Sequence, residues 1–318
     1  MALSPYSIFR EIWSGCCGIA LDVARGLKKS LGRDSAAFNR SPLETDVIDL
    51  HSHTTASDGQ YTPTQLLERA RAAGVTVLSV TDHDTVAGLA EAKAAALANG
   101  VELVPGIEIS AFVLGREVHI LGHFVRPEDE DLARFAQRLR GEREQRMEAM
   151  VARMQQLGFP VRMEHVRAIA GDAQLGRPHL ARVLVDQGWA VDMKAAFDRF
   201  LGTRGMAWVE RFKLDGADAI RLIRKAGGTA TLAHPGSSKV ERMELRELVK
   251  AGLAGLEVLH ADHNPALKQK YLALAKEHDL VPTSGSDFHG EAVSADHKLG
   301  SAAMPPELFA KLRSRATA

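Results

Sequence analysis

Hydrophobic and polar positions change period along this chain in an ordered way. Residues 1–45 carry no sustained alternation, and the stretch 32–42 is polar and turn-rich, so this part reads as an N-terminal extension with a short amphipathic helix expected at 19–29. From Asp46 a different rhythm begins. Short apolar runs at 47–51, 75–80, 101–109 and 117–121 predict strands, because four to eight apolar residues bounded by turn signals suit a buried strand. Between them lie helices. Thr62-Pro63 marks the start of the first and Gly74 its end, and the alanine-rich second, 89–98, stops at Asn99-Gly100. The pattern turns mostly helical between 127 and 205, with a long charged segment at 131–156. The earlier rhythm then resumes with a helix at 217–226, strands at 229–233 and 256–259, a helix at 265–278 and a last strand ending near Ser284.

Alternating strands and helices predict an α/β sheet or barrel. A chain of 318 residues suits a single barrel. The expected organisation is an extension (1–45), a first barrel part (46–126), a helical insertion (127–205) and a second barrel part (206–318). In a closed barrel of parallel strands the carboxyl ends meet at one face, where residues far apart in sequence share a site.

Charge alters this picture little. With 40 basic and 40 acidic residues the formal charge is zero, which gives no global reason to expect long nucleic acids, while small or short phosphorylated ligands fit. Cys16 and Cys17 are adjacent and suggest neither a disulfide framework nor a thiolate metal site; a reducing cytoplasm is the natural setting. The apolar stretch 12–21 is too short to span a bilayer. Neither membrane association nor an obligate protein partner is expected.

Candidate chemistry falls at the strand ends. His51-Ser-His53 is followed by Asp58, then come His83 between Asp82 and Asp84, Glu108, His119, His234 before Pro235-Gly236, and Asp287-Phe-His289. Residues two apart in a strand share a face, so His51 with His53, and Asp287 with His289, can serve one site. Glu108 can bridge two cations, Asp82 or Asp84 can orient His83 through its second nitrogen, and His123 competes with His119. Taken singly, each motif also fits an ordinary turn or rim salt bridge. Their gathering at successive strand ends indicates a site of imidazoles and carboxylates, suited to Mn²⁺, Fe²⁺ or Zn²⁺.

From about Asp46 to about Gly300 this ordered motif set resembles the polymerase and histidinol phosphatase (PHP) family of metal-dependent phosphoesterases. The resemblance implies a distorted (β/α)7 barrel with two or three divalent ions, most often Mn²⁺, at its carboxyl end. It further implies one ion held by His51, His53, Glu108 and Asp287, a second by Glu108, His119 and His234, and a third by Asp58, His83 and His289. Glu108, Asp287 and His289 are then the catalytic residues, with a hydroxide held between ions as the nucleophile. Ser57-Asp58-Gly59, Thr81-Asp-His-Asp-Thr85 and the helical segment before Ala233-His-Pro resemble the subgroup of 3′,5′-bisphosphonucleotide phosphatases and 5′ to 3′ exoribonucleases of short RNAs.

Substrate contacts are sought among arginines, whose forks match phosphate oxygens. Arg177 and His179 are candidates, as are Arg143 and Arg146, although a solvated helix face paired with Glu142 and Glu144 suits the latter two slightly better. Glu257 would touch a ribose or form a rim salt bridge. No residue stands out as the general acid. Two other readings are open: histidinol phosphate hydrolysis, and a noncatalytic metal-binding accessory module, which the intact motif set disfavours.

Overall fold

In a computed structural model of the protein, the described residues are 46–316 except 172–174, 211 and 303. The extension and helix expected within residues 1–45 lie outside them. In chain order the elements are β1 (Ile48–Asp49), α1 (Pro63–Ala72), β2 (Val77–Val80), α2 (Leu89–Asn99), β3 (Glu102–Val113) and β4 (Arg116–His123). The helices α3 (Glu130–Gln156), α4 (Met163–Ala170), α5 (Arg177–Asp186) and α6 (Met193–Ala196) follow, the last running into a π-helical turn (Phe197–Leu201). Then come α7 (Gly216–Lys225), β5 (Thr229–Leu232), α8 (Arg242–Lys250), β6 (Gly255–Leu259), α9 (Pro265–Glu277), β7 (Val281–Ser284) and α10 (Pro306–Arg313).

The seven strands form one sheet in sequence order. Beyond β1 and β7 the chain continues the pairing: the Leu50 N–H donates to the Ser284 carbonyl at 3.2 Å and the Asp287 N–H to the His51 carbonyl at 2.9 Å. A parallel bridge between Ser52 and Phe288 adds to this contact, so the sheet curls into a barrel. Gly285 permits the approach, since a Cβ there would lie 2.2 Å from the His51 Cβ.

One strand departs from the expected parallel arrangement. β4 runs antiparallel to both β3 and β5, while the remaining neighbours are parallel. The cause is local: Leu114 and Gly115 both take positive φ, 49° and 80°, making a two-residue turn that folds β4 directly back on β3. Both strands are also longer than their apolar runs suggest, since hairpin pairing from Gly106–His123 to Val113–Arg116 continues through polar positions.

The barrel core joins Ile107, Ile109, Val118, Ile120, Leu232 and Leu256 to the buried face of α7, including Ile220 and Ile223. Helices α3 to α6 and the π-helical turn pack around a second core that contains Met147, Met150, Met154, Leu180, Leu184 and Phe200. Each such side chain, fully buried, contributes roughly 1.5–3 kcal/mol. Asp129 caps α3 by accepting the N–H groups of Asp131 and Leu132, so the long charged helix expected from 131 begins one residue earlier.

His123, the competitor of His119, is buried at the end of β4. Its Nε2–H donates to the Leu50 carbonyl at 2.9 Å and its Nδ1 lies 3.4 Å from the Thr231 hydroxyl, which makes it a tie across the barrel. Burial, reinforced by the charge of His51, pushes its pKa down to about 4. The unfolded chain therefore binds more protons between pH 4 and 6.5, and the tie loses stability as pH falls through that window. Urea unfolding should show wild type losing ~3 kcal/mol more than His123→Gln on acidification from pH 6.5 to 4. Parallel stability profiles would refute a buried neutral imidazole.

Candidate metal centre

Nine side chains from the two barrel parts meet at one end of the sheet. Ser52, between the two first histidines, turns away and donates to the Ser79 carbonyl at 2.7 Å. His51 and His53 thus face inward together, each with Nε2 at 3.2 Å from Asp287 Oδ1 and at 3.4 and 3.3 Å from Glu108 Oε2. Asp287 reaches them from the segment beyond β7 with a left-handed backbone, φ 52°.

Glu108 is the hub. It sits in the middle of β3 rather than near a strand end, fully buried, with its N–H on the Asp82 carbonyl and its carbonyl accepting the Asp84 N–H. Its Oε1 lies 2.8 Å from His119 Nδ1 and 3.2 Å from His234 Nε2, and its Oε2 lies 2.9 Å from His83 Nδ1. Burial alone would raise this carboxyl, but the surrounding imidazoles, His83 and His119 foremost, hold it well below the usual range.

Asp58 collects the outer group. Its Oδ1 is 3.4 Å from His289 Nε2 and 3.9 Å from His53 Nδ1, and its Oδ2 is 3.8 Å from His83 Nε2. The His53 and His289 rings stack at 3.9 Å. Burial, with His289 beside it, pushes His53 down to about 3, so the ring is neutral at neutral pH and one of its nitrogens offers a lone pair.

This arrangement fits divalent ions. His51 Nε2, both His53 nitrogens, Asp58 Oδ1, Glu108 Oε2 and His234 Nδ1 are buried and make no hydrogen bond among the described residues, although partners stand close by. Buried polar atoms without hydrogen bonds are costly unless something else binds them. Candidate ligand atoms lie within 4.8 Å of one another in His53–Asp58–His83–His289, in His51–His53–Glu108, in His51–His234–Asp287 and in His83–Glu108–His119. All donors are nitrogen or oxygen.

Three expectations need correction. Glu257 is neither a ribose contact nor a rim residue. It is fully buried behind His51, with Oε1 3.1 Å from His51 Nδ1 and Oε2 accepting the His234 N–H at 2.7 Å. Burial would raise its pKa, but His51 and neighbouring imidazoles bring it down to about 2, which makes it the anion that orients His51. Neither Asp82 nor Asp84 orients His83: Asp82 accepts from the Thr54 N–H, Thr54 Oγ1 and Ser57 Oγ, each at 2.7 Å. Asp84 accepts the Ser110 N–H at 2.9 Å and pairs with Arg143. Arg143 and Arg146 do not form a solvated face with Glu142 and Glu144, since Arg146 donates to the Val209 carbonyl at 2.8 Å and Glu144 binds Arg167.

A cavity adjoins the cluster. Asp58, His83 and His119 line it on the barrel side, and Arg143, Arg146 and Arg177 on the helical side. Arg177 opens α5, and its guanidinium lies 5.6 Å from the Phe197 ring and 5.3 Å from that of Trp208. His179 does not line this cavity, and its Nδ1 accepts the Gly176 N–H at 3.1 Å. Two residues near Asp287 were not anticipated. His260 follows β6 just as the other histidines follow strands, a signal the sequence carries, whereas His297 lies in an irregular segment with none.

A barrel that gathers imidazoles and carboxylates without thiolates at one end defines a metal-dependent hydrolase class. The PHP domain model matches residues 49–143. A 5′-3′ exoribonuclease of Haemophilus influenzae is 38% identical over 77% of this chain and 90% of its own length. A 3′,5′-nucleoside bisphosphate phosphatase of Chromobacterium violaceum is 35% identical over 76% and 87%. A phosphoribosyl 1,2-cyclic phosphate 1,2-diphosphodiesterase of Eggerthella lenta is 34% identical over 79% and 97%. Among solved structures, a Bifidobacterium adolescentis protein assigned as a metal-dependent phosphoesterase superposes with TM-score 0.79 at 30% identity, over 85% of this chain and 96% of that one. The chain belongs to the PHP domain family and is a metal-dependent phosphoric ester hydrolase. No helix among the described residues is long and apolar enough to cross a membrane.

Asp82 tests how the loop bearing Asp58 is held. Asp82→Asn keeps the shape but turns an amide N–H₂ toward donors, and should cost about 2 kcal/mol in urea unfolding. An unchanged midpoint would show that the loop does not depend on this carboxylate.

Proposed function

We propose that this enzyme removes phosphate from 3′,5′-bisphosphonucleotides or short 5′-phosphorylated oligonucleotides. The observation that carries the reading is the arginine wall formed by Arg143, Arg146 and Arg177 beside the cluster. Guanidinium groups favour a substrate with a second phosphate. The same wall opposes histidinol phosphate, whose ammonium group would meet like charge. Relatives named as a nucleoside bisphosphate phosphatase and as an exoribonuclease support the nucleotide reading. All nine cluster residues are present, which disfavours a noncatalytic module. The adjacent thiols suit a cytoplasmic enzyme.

His51, His53, Glu108 and Asp287 would hold one divalent ion, Glu108 with His119 and His234 a second, and Asp58, His83 and His289 a third. We favour Mn²⁺, with Fe²⁺ or Zn²⁺ as alternatives for the same donors. Such ions supply Lewis acidity for phosphoryl oxygens and make water a nucleophile at neutral pH. The chain's own contribution is placement. Glu108, pinned by backbone bonds on both sides, fixes the separation of the imidazoles around it. Glu257 fixes the His51 ring, and the arginines hold the non-reacting phosphate so that the scissile ester faces the cluster.

Phosphate release by the Mn²⁺-loaded protein should be faster with 3′-phosphoadenosine 5′-phosphate than with histidinol phosphate, and Asp287→Ala should abolish it. Preference for histidinol phosphate would overturn the substrate assignment. Arg177→Ala should raise KM for the bisphosphate about 10- to 100-fold, the loss of one charge-assisted contact, with a smaller effect on a monophosphate. Equal effects on both would remove Arg177 from recognition of the second phosphate.

A further inference from the structure

His260, Asp287 and His297 also bring ligand-type atoms within 4.8 Å of one another, beside the nine residues already described. Taken as a set, they resemble one more cation site. The hydrogen bonds at His260 argue otherwise. The ring is almost wholly buried just beyond β6, and its Nδ1 accepts the backbone N–H of Asp262 at 3.2 Å. A nitrogen that accepts an N–H carries no proton of its own, so the ring proton sits on Nε2. That Nε2 is buried without a hydrogen-bond partner among the described residues and stands 3.6 Å from Asp287 Oδ2. The other oxygen of the same carboxylate, Oδ1, is the one that faces His51 and His53 at 3.2 Å.

We propose that His260 is a positioning residue whose Nε2–H is held by Asp262 to secure the outer oxygen of Asp287, and that it is not a metal ligand. The proposal rests on the reading of Asp287 as a ligand given above. Ligation through Nε2 would require the proton on Nδ1, where it would collide with the Asp262 N–H. The surroundings brace this arrangement. The Ser237 hydroxyl donates to Asp262 Oδ2 at 3.2 Å, and Asp262 Oδ1 lies 3.2 Å from His297 Nε2. His263 is itself buried: its Nδ1–H donates to the Val258 carbonyl at 3.0 Å and its Nε2 accepts the Gly236 N–H at 3.0 Å. The segment carrying His260 is thereby tied to the one following His234. A 3.6 Å separation is longer than a hydrogen bond, so closing it takes only a small shift of the carboxylate.

Two measurements on the full chain test this. In metal-free protein with ¹⁵N-labelled histidine, long-range ¹H–¹⁵N correlations of His260, assigned by comparison with His260→Gln, should show the Nε2–H tautomer. The Nδ1–H tautomer would overturn the proposal. In Mn²⁺ titrations, His260→Leu should bind the same number of ions as wild type with about 10- to 100-fold weaker affinity, and His260→Gln, which keeps an N–H donor, should recover part of the loss. One ion fewer at saturation would make His260 a ligand, and unchanged affinity in the leucine variant would remove its positioning role. Either result overturns the proposal. If Asp287→Ala kept full affinity, the ligand reading of Asp287 would fall instead, while the tautomer would still be measurable in wild type.

Discussion

The structure depends on keeping one fully buried carboxylate ionised. Glu108 is fully buried in the middle of β3, and a lone charge there would carry a desolvation penalty that the fold could not offset. Imidazoles from segments far apart in sequence surround it: His51, His53, His83, His119 and His234 all lie within 3.4 Å of one of its oxygens. Each must arrive on a backbone held in place, because a buried anion is compensated only by correct geometry. The hydrogen bonds that link Glu108 to Asp82 and Asp84 place β3 against the segment after β2, and the hairpin turn at Leu114-Gly115 brings β4 across its other edge. Sheet topology and site chemistry are therefore one problem with one solution.

Much of this was legible in the sequence because it is local. A histidine or acid directly after an apolar run marks a strand end, and this signal located His51, His53, His83, His234, Asp287 and His289. The alternation of strands and helices gave the barrel, and the change of period at 127 gave the helical stretch. What stayed hidden depends on pairing partners. Nothing in a single strand states its direction relative to a neighbour, so the reversal of β4 required reading Leu114-Gly115 as a tight turn. Glu257 looked like a rim residue because its apolar neighbours mark a strand end, yet an acid can sit there wholly buried when an imidazole and a backbone N–H share its oxygens. The partners of Asp82 and Asp84 could not be guessed either, since the groups they bind lie 25 to 59 positions away.

The barrel and the helical segment divide the work. The barrel supplies rigid nitrogen and oxygen donors, and helices α3 to α6 supply arginines around a separate apolar core. Where they meet, Asp84 takes the Ser110 N–H with one oxygen and Arg143 with the other, so a single buried carboxylate links the arginine wall to the strand that bears Glu108. That link fixes how far the wall stands from the cluster. On the proposed bisphosphate reading, a phosphate held by arginine and a second at the cluster would have to match this spacing, which would make it a determinant of substrate size independent of the metal chemistry.

The same logic explains why so much polar machinery lies behind the cluster rather than in it. Ligand atoms must be left without hydrogen bonds if they are to bind a cation, so their orientation has to be set from their far sides. Glu257 does this for His51, and the segment around Asp262 does it for the residues beside Asp287. Such supports carry no motif of their own, yet they decide which lone pairs face inward. A barrel end can collect histidines and acids by strand geometry alone, but only when each ring and carboxylate is fixed from behind do their lone pairs converge as a site.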